Sequence, residues 1–154
     1  RKMKRFLMAL ACLLLVTGCS NADAVKNIDI KELGTKIMEQ GYDLPSFMEA
    51  DADVLKYAYN LDESSVEQYA VYLPMMNVHA SEIALFKAVP GHEAEVQKAI
   101  DERLALLETS WATYLPEQYD LVKNHKLIVH SPYYFLVISD HADDIAAQIE
   151  AEFK

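Results

Sequence analysis

Cys19 is the residue whose neighbours specify a chemistry most clearly. Val16-Thr17-Gly18 precede it, so an aliphatic residue, a small one and a glycine lead into a thiol, the form of a bacterial lipobox. Small side chains let an extended backbone enter a peptidase. The thiol is the group that takes up a diacylglyceryl thioether before cleavage. Upstream, Arg1, Lys2, Lys4 and Arg5 form a basic stretch, and Phe6 to Val16 form an apolar run. As a helix that run spans only about 16 Å at ~1.5 Å per residue. It is too short to cross a hydrocarbon core of about 30 Å, and right for an export signal. Residues 1–18 therefore read as a lipoprotein signal peptide, and Cys19 as the acylated first residue of what remains. Two or more acyl chains there would hold the protein stably in a membrane. Cys12 lies inside the discarded run, so the exported part has no thiol left to form a disulfide.

Other chemistry-bearing residues are less organised. The five histidines, His79, His92, His125, His130 and His141, show no spacing that would place two ligands on one helical turn beside a glutamate. His125 and His130 are five apart across one strand and face opposite sides of it. Met75-Met76 with His79 has the ligand types of a soft-metal site. Adjacent strand residues point to opposite faces, however, so the two Met are expected to pack in the core. Asp140, Asp143 and Asp144 carry oxygen ligands of the kind calcium takes, but capping of a helix explains them as well. No Gly-x-Ser-x-Gly elbow and no glycine-rich phosphate loop occur; there are only four glycines. No catalytic residue, cofactor or metal site is expected. The loop from Asn77 to Ser81, with Glu82 behind it, is the best candidate for a functional surface, through Asn77, His79, Ser81 and Glu82. Its alternative is that Asn77 and Ser81 merely shape a turn.

Charge narrows the partners. From Cys19 onward the chain holds all 24 acids and ten of the 14 bases, a formal net charge of −14 against −10 overall. Such a polyanion is repelled by nucleic acid and by anionic lipid headgroups. Cations or a basic partner are compatible.

The elements that must position these residues follow from period and punctuation. Residues 20–28 are small and polar and read as a tether, leaving 29–154 as one domain. Asp29 with Glu32 has capping-box spacing ahead of a helix with Ile30, Leu33 and Ile37 on one face, stopped by Gly41. Leu44 to Tyr59 reads as a turn and a short helix, with Asp51 as N-cap and Asn60 as its end. Val66 to Met76 and Glu82 to Val89 read as a hairpin, with Pro74 marking an edge or bulged strand. From about His92 to Tyr114 the positions Val96, Ile100, Leu104, Leu107, Trp111 and Tyr114 form one helical stripe, ended or kinked by Pro116. A short helical piece follows. Lys126 to His130 and Tyr133 to Ser139 read as a second hairpin around Ser131-Pro132. Asp140 is expected to cap a last helix carrying Ile145 and Ile149 inward. The order α-α-β-β-α-β-β-α predicts a two-layer α+β fold: a four-stranded antiparallel sheet made of two hairpins, packed on one long helix.

The stretches "YAVYLPMMNVHASEIALFK" (69–87), "WATYLPEQYDLVKN" (111–124) and "YYFLVISDHADDI" (133–145) resemble an uncharacterised family of small lipoproteins from clostridial Gram-positive bacteria, a domain of unknown function. The resemblance runs from about Ile30 to the end of the chain. It implies export, lipidation and a compact α+β domain, and no reaction. The expected function is a non-catalytic binding or interaction domain on the outer face of the plasma membrane. It would be anchored through Cys19 and meet an envelope protein or a small ligand. A cell-envelope hydrolase and a cation or small-ligand carrier are the alternatives.

Overall fold

A computed structural model describes residues 25–154. Cys19, the residues expected to form an export signal and most of the expected tether lie outside the described residues. Ile28 is already buried, and its backbone N–H donates to the Tyr133 hydroxyl at 2.8 Å.

Helix α1 (Ile30–Glu39) starts where the Asp29 carboxylate accepts from the Glu32 N–H at 3.0 Å. It buries Ile30, Leu33 and Ile37. Gly41, at φ +93°, turns the chain away. A three-residue strand β1 (Phe47–Glu49) follows, and then α2 (Ala52–Tyr59). Asp51 caps α2 through the Val54 N–H, and Asn60 closes it in the left-handed conformation. Next come β2 (Val66–Pro74), β3 (Glu82–Ala88), the long α3 (Glu93–Trp111), α4 (Pro116–Lys123), β4 (Lys126–His130), β5 (Tyr133–Ile138) and α5 (Ala142–Ala151).

All strands pair antiparallel in the order β1-β2-β3-β5-β4. The two expected hairpins are present and meet along β3 and β5, in register from Glu82 opposite Ile138 to Lys87 opposite Tyr133. The α+β class holds, but the sheet has five strands rather than four. The fifth, β1, is too short to show a period in sequence; it pairs Phe47 with Pro74.

Nor is the fold two-layered. Side chains alternate to opposite faces of a strand, and here both faces are covered. Ala84, Phe86, Leu136 and Ile138 pack with α2, α3 and α4, among them Leu55, Val96, Ile100 and Trp111. Ile83, Leu85, Phe135 and Val137 pack with α1 and α5, among them Ile37, Ile145 and Ile149. Ile83 to Phe86 of β3 and the whole of β5 read as continuous apolar runs because each strand is buried on both sides, the pattern usual for a central strand.

Three smaller expectations change as well. Pro74 ends an inner strand, and the β2–β3 register shift falls at the far end, between Val66 and Gln68. α5 opens without Asp140 as its cap; the Ser139 hydroxyl instead accepts from the His141 N–H at 3.0 Å. Met75 and Met76 lie outside the core, 66 % and 59 % exposed, because β2 ends before them.

Candidate functional site

The loop between β2 and β3, residues 75–81, separates into two kinds of residue. Asn77 is exposed and His79 is half-buried. Ser81 and Glu82 are 5 % and 1 % exposed, so they are not surface residues. Glu82 opens β3 on the same face as Ala84 and Phe86, which turns its side chain beneath α2 and α3 rather than into the loop.

There it meets two partners the sequence did not announce. Arg103 lies on α3 three residues after Ile100 and four before Leu107, within the stripe that faces the sheet. Its Nη2 donates to Glu82 Oε1 at 2.6 Å and its Nε to Oε2 at 3.0 Å, a bidentate pair. Tyr59, the last residue of α2, donates its hydroxyl to Oε2 of the same carboxylate. The Arg103 guanidinium also stands 5.6 Å from the Tyr59 ring, whose edge meets Phe86 at 5.2 Å. Burial pushes the Tyr59 phenol well above its usual range, and the neighbouring Glu82 charge adds to that. Burial works against the Arg103 charge, but the hydrogen bonds and charge of Glu82 outweigh it and hold its pKa above the usual value. Both Glu82 oxygens are engaged, and its side chain is 1 % exposed. The cluster ties α2, α3 and β3 together under the loop.

The loop is held from the other side by α4: the Ala80 N–H donates to Gln118 Oε1 at 2.8 Å. Residues 112–114 turn the chain after α3, Leu115 is the N-cap of α4, and Pro116 opens that helix where its missing N–H costs nothing. The result is a cleft of about 410 Å³ lined by Val78, Leu115, Pro116, Glu117 and Gln118. Met75, Met76 and Val78 stand exposed on the same loop.

Two other open clefts are polar. One, of about 440 Å³, lies among Lys26, Asp29, Glu32, Lys36 and Glu152, where Lys36 pairs with Glu32. The other, of about 490 Å³, lies among Lys123, His125, Lys126, Asp140 and Asp143, where Lys126 pairs with Asp143. The histidines do not converge. His92 meets Glu95, His125 meets the Val122 carbonyl, and His130 meets Glu150 and stacks on Phe153. Among the described residues no group of three or more His, Cys, Asp or Glu is placed to hold a metal ion.

Residues 40–139 match the family described as Domain of unknown function (DUF4358). The chain belongs to this family. Searches of curated proteins and of solved structures each return no match. The DUF4358 region starts just after α1 and ends at Ser139, before α5. It therefore contains the whole sheet, the Tyr59–Glu82–Arg103 tie and the loop with its cleft. The helices α1 and α5, which cover the other face, fall outside the matched residues.

Proposed function

We propose that this DUF4358 chain is a lipid-anchored, extracytoplasmic interaction domain that presents its β2–β3 loop and the α3–α4 corner to a partner. The observation that carries this reading is the exposure of Met75, Met76 and Val78 on a loop that is itself fixed by Gln118. Soluble surfaces seldom gather large apolar side chains without a binding role. Methionine side chains adapt to varied partner surfaces.

The position of the loop supports the same reading. The chain enters the domain beside Tyr133 and Lys87, where Lys87 Nζ donates to Asn27 Oδ1 at 3.2 Å. That is the opposite end of β3 from the loop, about 20 Å away at ~3.4 Å per residue. A tether from Cys19 would place the entry end toward the membrane and the loop outward. The hydrolase alternative needs carboxylates facing a pocket. Glu82 is buried with both oxygens engaged, and in the two polar clefts Glu32 and Asp143 are paired with Lys36 and Lys126.

Attachment and interaction are tested separately. Labelled fatty acid should enter the wild-type chain and not Cys19→Ser, and the variant should leave the membrane fraction; unchanged fractionation refutes the anchor. A photo-crosslinking residue at position 76 or 78, in cells, should capture one discrete partner band, whereas the same residue at Tyr57, which is 92 % exposed on α2, should not. Equal capture at all three positions, or none, refutes the interaction surface.

A further inference from the structure

The geometry points to a cationic polypeptide segment with an apolar face as the occupant of the cleft between Val78 and Leu115, its aliphatic side chains in the cleft and a lysine or arginine against Glu117. This rests on the interaction reading above and names the class of partner.

The lining decides the chemistry. Val78, Leu115 and Pro116 supply apolar walls, Gln118 is already engaged by Ala80, and Glu117 is exposed with no base among the lining residues. The lysine that ends α4, Lys123, is paired with Asp120 at 2.7 Å and stands over the Tyr119 ring, so it does not neutralise Glu117. Residues 25–154 hold 23 acids and ten bases, a formal net charge of −13, and this field draws a cationic segment toward the domain before contact.

The same charges weigh against the other occupants. A second copy would bring two acidic ends together, each with Glu117 unpaired. An anionic bilayer would be repelled, and the entry of the chain at the far end of β3 directs this cleft away from the membrane to which Cys19 would be tied. A cleft of about 410 Å³ takes a few side chains rather than a broad protein face, which suits a single segment.

The test uses the full chain carrying Cys19→Ser and fluorescence anisotropy with two short synthetic peptides. One repeats Leu and Lys on a helical period; the other has Glu in place of every Lys. The Leu–Lys peptide should bind and the Leu–Glu peptide should not. Val78→Ser and Glu117→Gln should each weaken binding by about fivefold, the size of one modest contact. Asp53→Asn removes an exposed charge from α2 and should leave affinity within about twofold, since distant sites act independently. Val78 and Glu117 are both surface residues, so circular dichroism should show the fold intact in these variants. Equal losses from Asp53→Asn and Glu117→Gln would mean diffuse attraction and overturn the site. Equal binding of both peptides would overturn the cationic partner, and so would binding of neither. Capture of the chain by phosphatidylglycerol vesicles through Val78 would identify lipid instead. Failure of the peptides with crosslinking at 76 and 78 retained would leave the interaction surface standing and remove only this partner class.

Discussion

Replacing Glu82 by Gln should unfold this domain far more readily than a change at most other polar positions. Gln keeps the size of the side chain and still accepts a hydrogen bond from Tyr59. It removes the charge that offsets Arg103, whose side chain is only 15 % exposed. Breaking one partner of a buried ion pair costs about 3–5 kcal/mol, because the surviving charge stays desolvated. Arg103 keeps some contact with water, so Glu82→Gln should fall near the lower end, about 3 kcal/mol. Arg103→Met preserves much of the aliphatic stem but leaves a carboxylate that is 1 % exposed with only the Tyr59 hydroxyl as partner. Its loss should be the larger, about 4–5 kcal/mol. For a domain of this size each kcal/mol lowers the melting temperature by roughly 3–5 °C, so the first variant should melt about 10 °C early. The double variant Glu82→Gln/Arg103→Met removes both charges and should cost less than the sum of the singles by about 2 kcal/mol. Urea denaturation followed through the fluorescence of Trp111, the single tryptophan, reads all four proteins. A cost below about 1 kcal/mol for either single variant, or strict additivity in the double, would refute the account of this pair as a coupled buried tie.

Gly34 sits inside α1 where a Cβ would lie 2.5 Å from the Tyr72 hydroxyl oxygen and 3.1 Å from Ala70 Cβ. Gly34→Ala should therefore destabilise by about 1 kcal/mol, overpacking outweighing the helix propensity of alanine. The loss should shrink in a Tyr72→Phe background, and a stabilised Gly34→Ala protein would show that the helix simply shifts. Alkali should weaken the fold in a defined window. Burial raises the phenols of Tyr59 well above the ordinary value, and those of Tyr69 and Tyr72 to about 12. A folded pKa above the unfolded one, near 10, means stability is complete below about pH 10 and declines as pH rises through the folded values. Lys36, Lys87 and Lys123 are shifted in the same sense, chiefly by hydrogen bonds to Glu32, Glu67 and Asp120. Tyr59→Phe should flatten part of this decline in urea titrations across pH, and a wild-type profile that stays level above about pH 10 would refute the assignment.

The parts of the site that sequence revealed and the parts it hid differ in range. The loop itself was legible, since Pro74 and the apolar runs on either side bracket it. That Glu82 belongs to the core and not to that surface was not, because its nearest neighbours in sequence, Ser81 and Ile83, give no sign of an arginine 21 residues away. Arg103 did carry a faint signal, a cation at a position of α3 that faces inward between Ile100 and Leu107. Long basic side chains often lie along apolar faces with their heads in water, so the position alone did not demand a buried pair. The exposure of Met75 and Met76 was likewise hidden, because it depends on where β2 ends against β1 and β3.

What the sequence determined by itself was whatever a few adjacent residues can settle. Asp29 and Asp51 cap their helices through N–H groups three residues on, Asn60 accepts the left-handed turn, and the stripe of α3 follows from its own period as far as Trp111; Tyr114, expected to continue it, lies past the helix end and is exposed. Tertiary structure alone decided that β3 and β5 are covered on both faces, that a three-residue segment at Phe47 joins the sheet, and that Glu82, Arg103 and Tyr59 converge. The physical reason is that capping and period act within a turn of the chain. Layer number, strand pairing and the burial of a charge are set by which distant surfaces close over one another and exclude water.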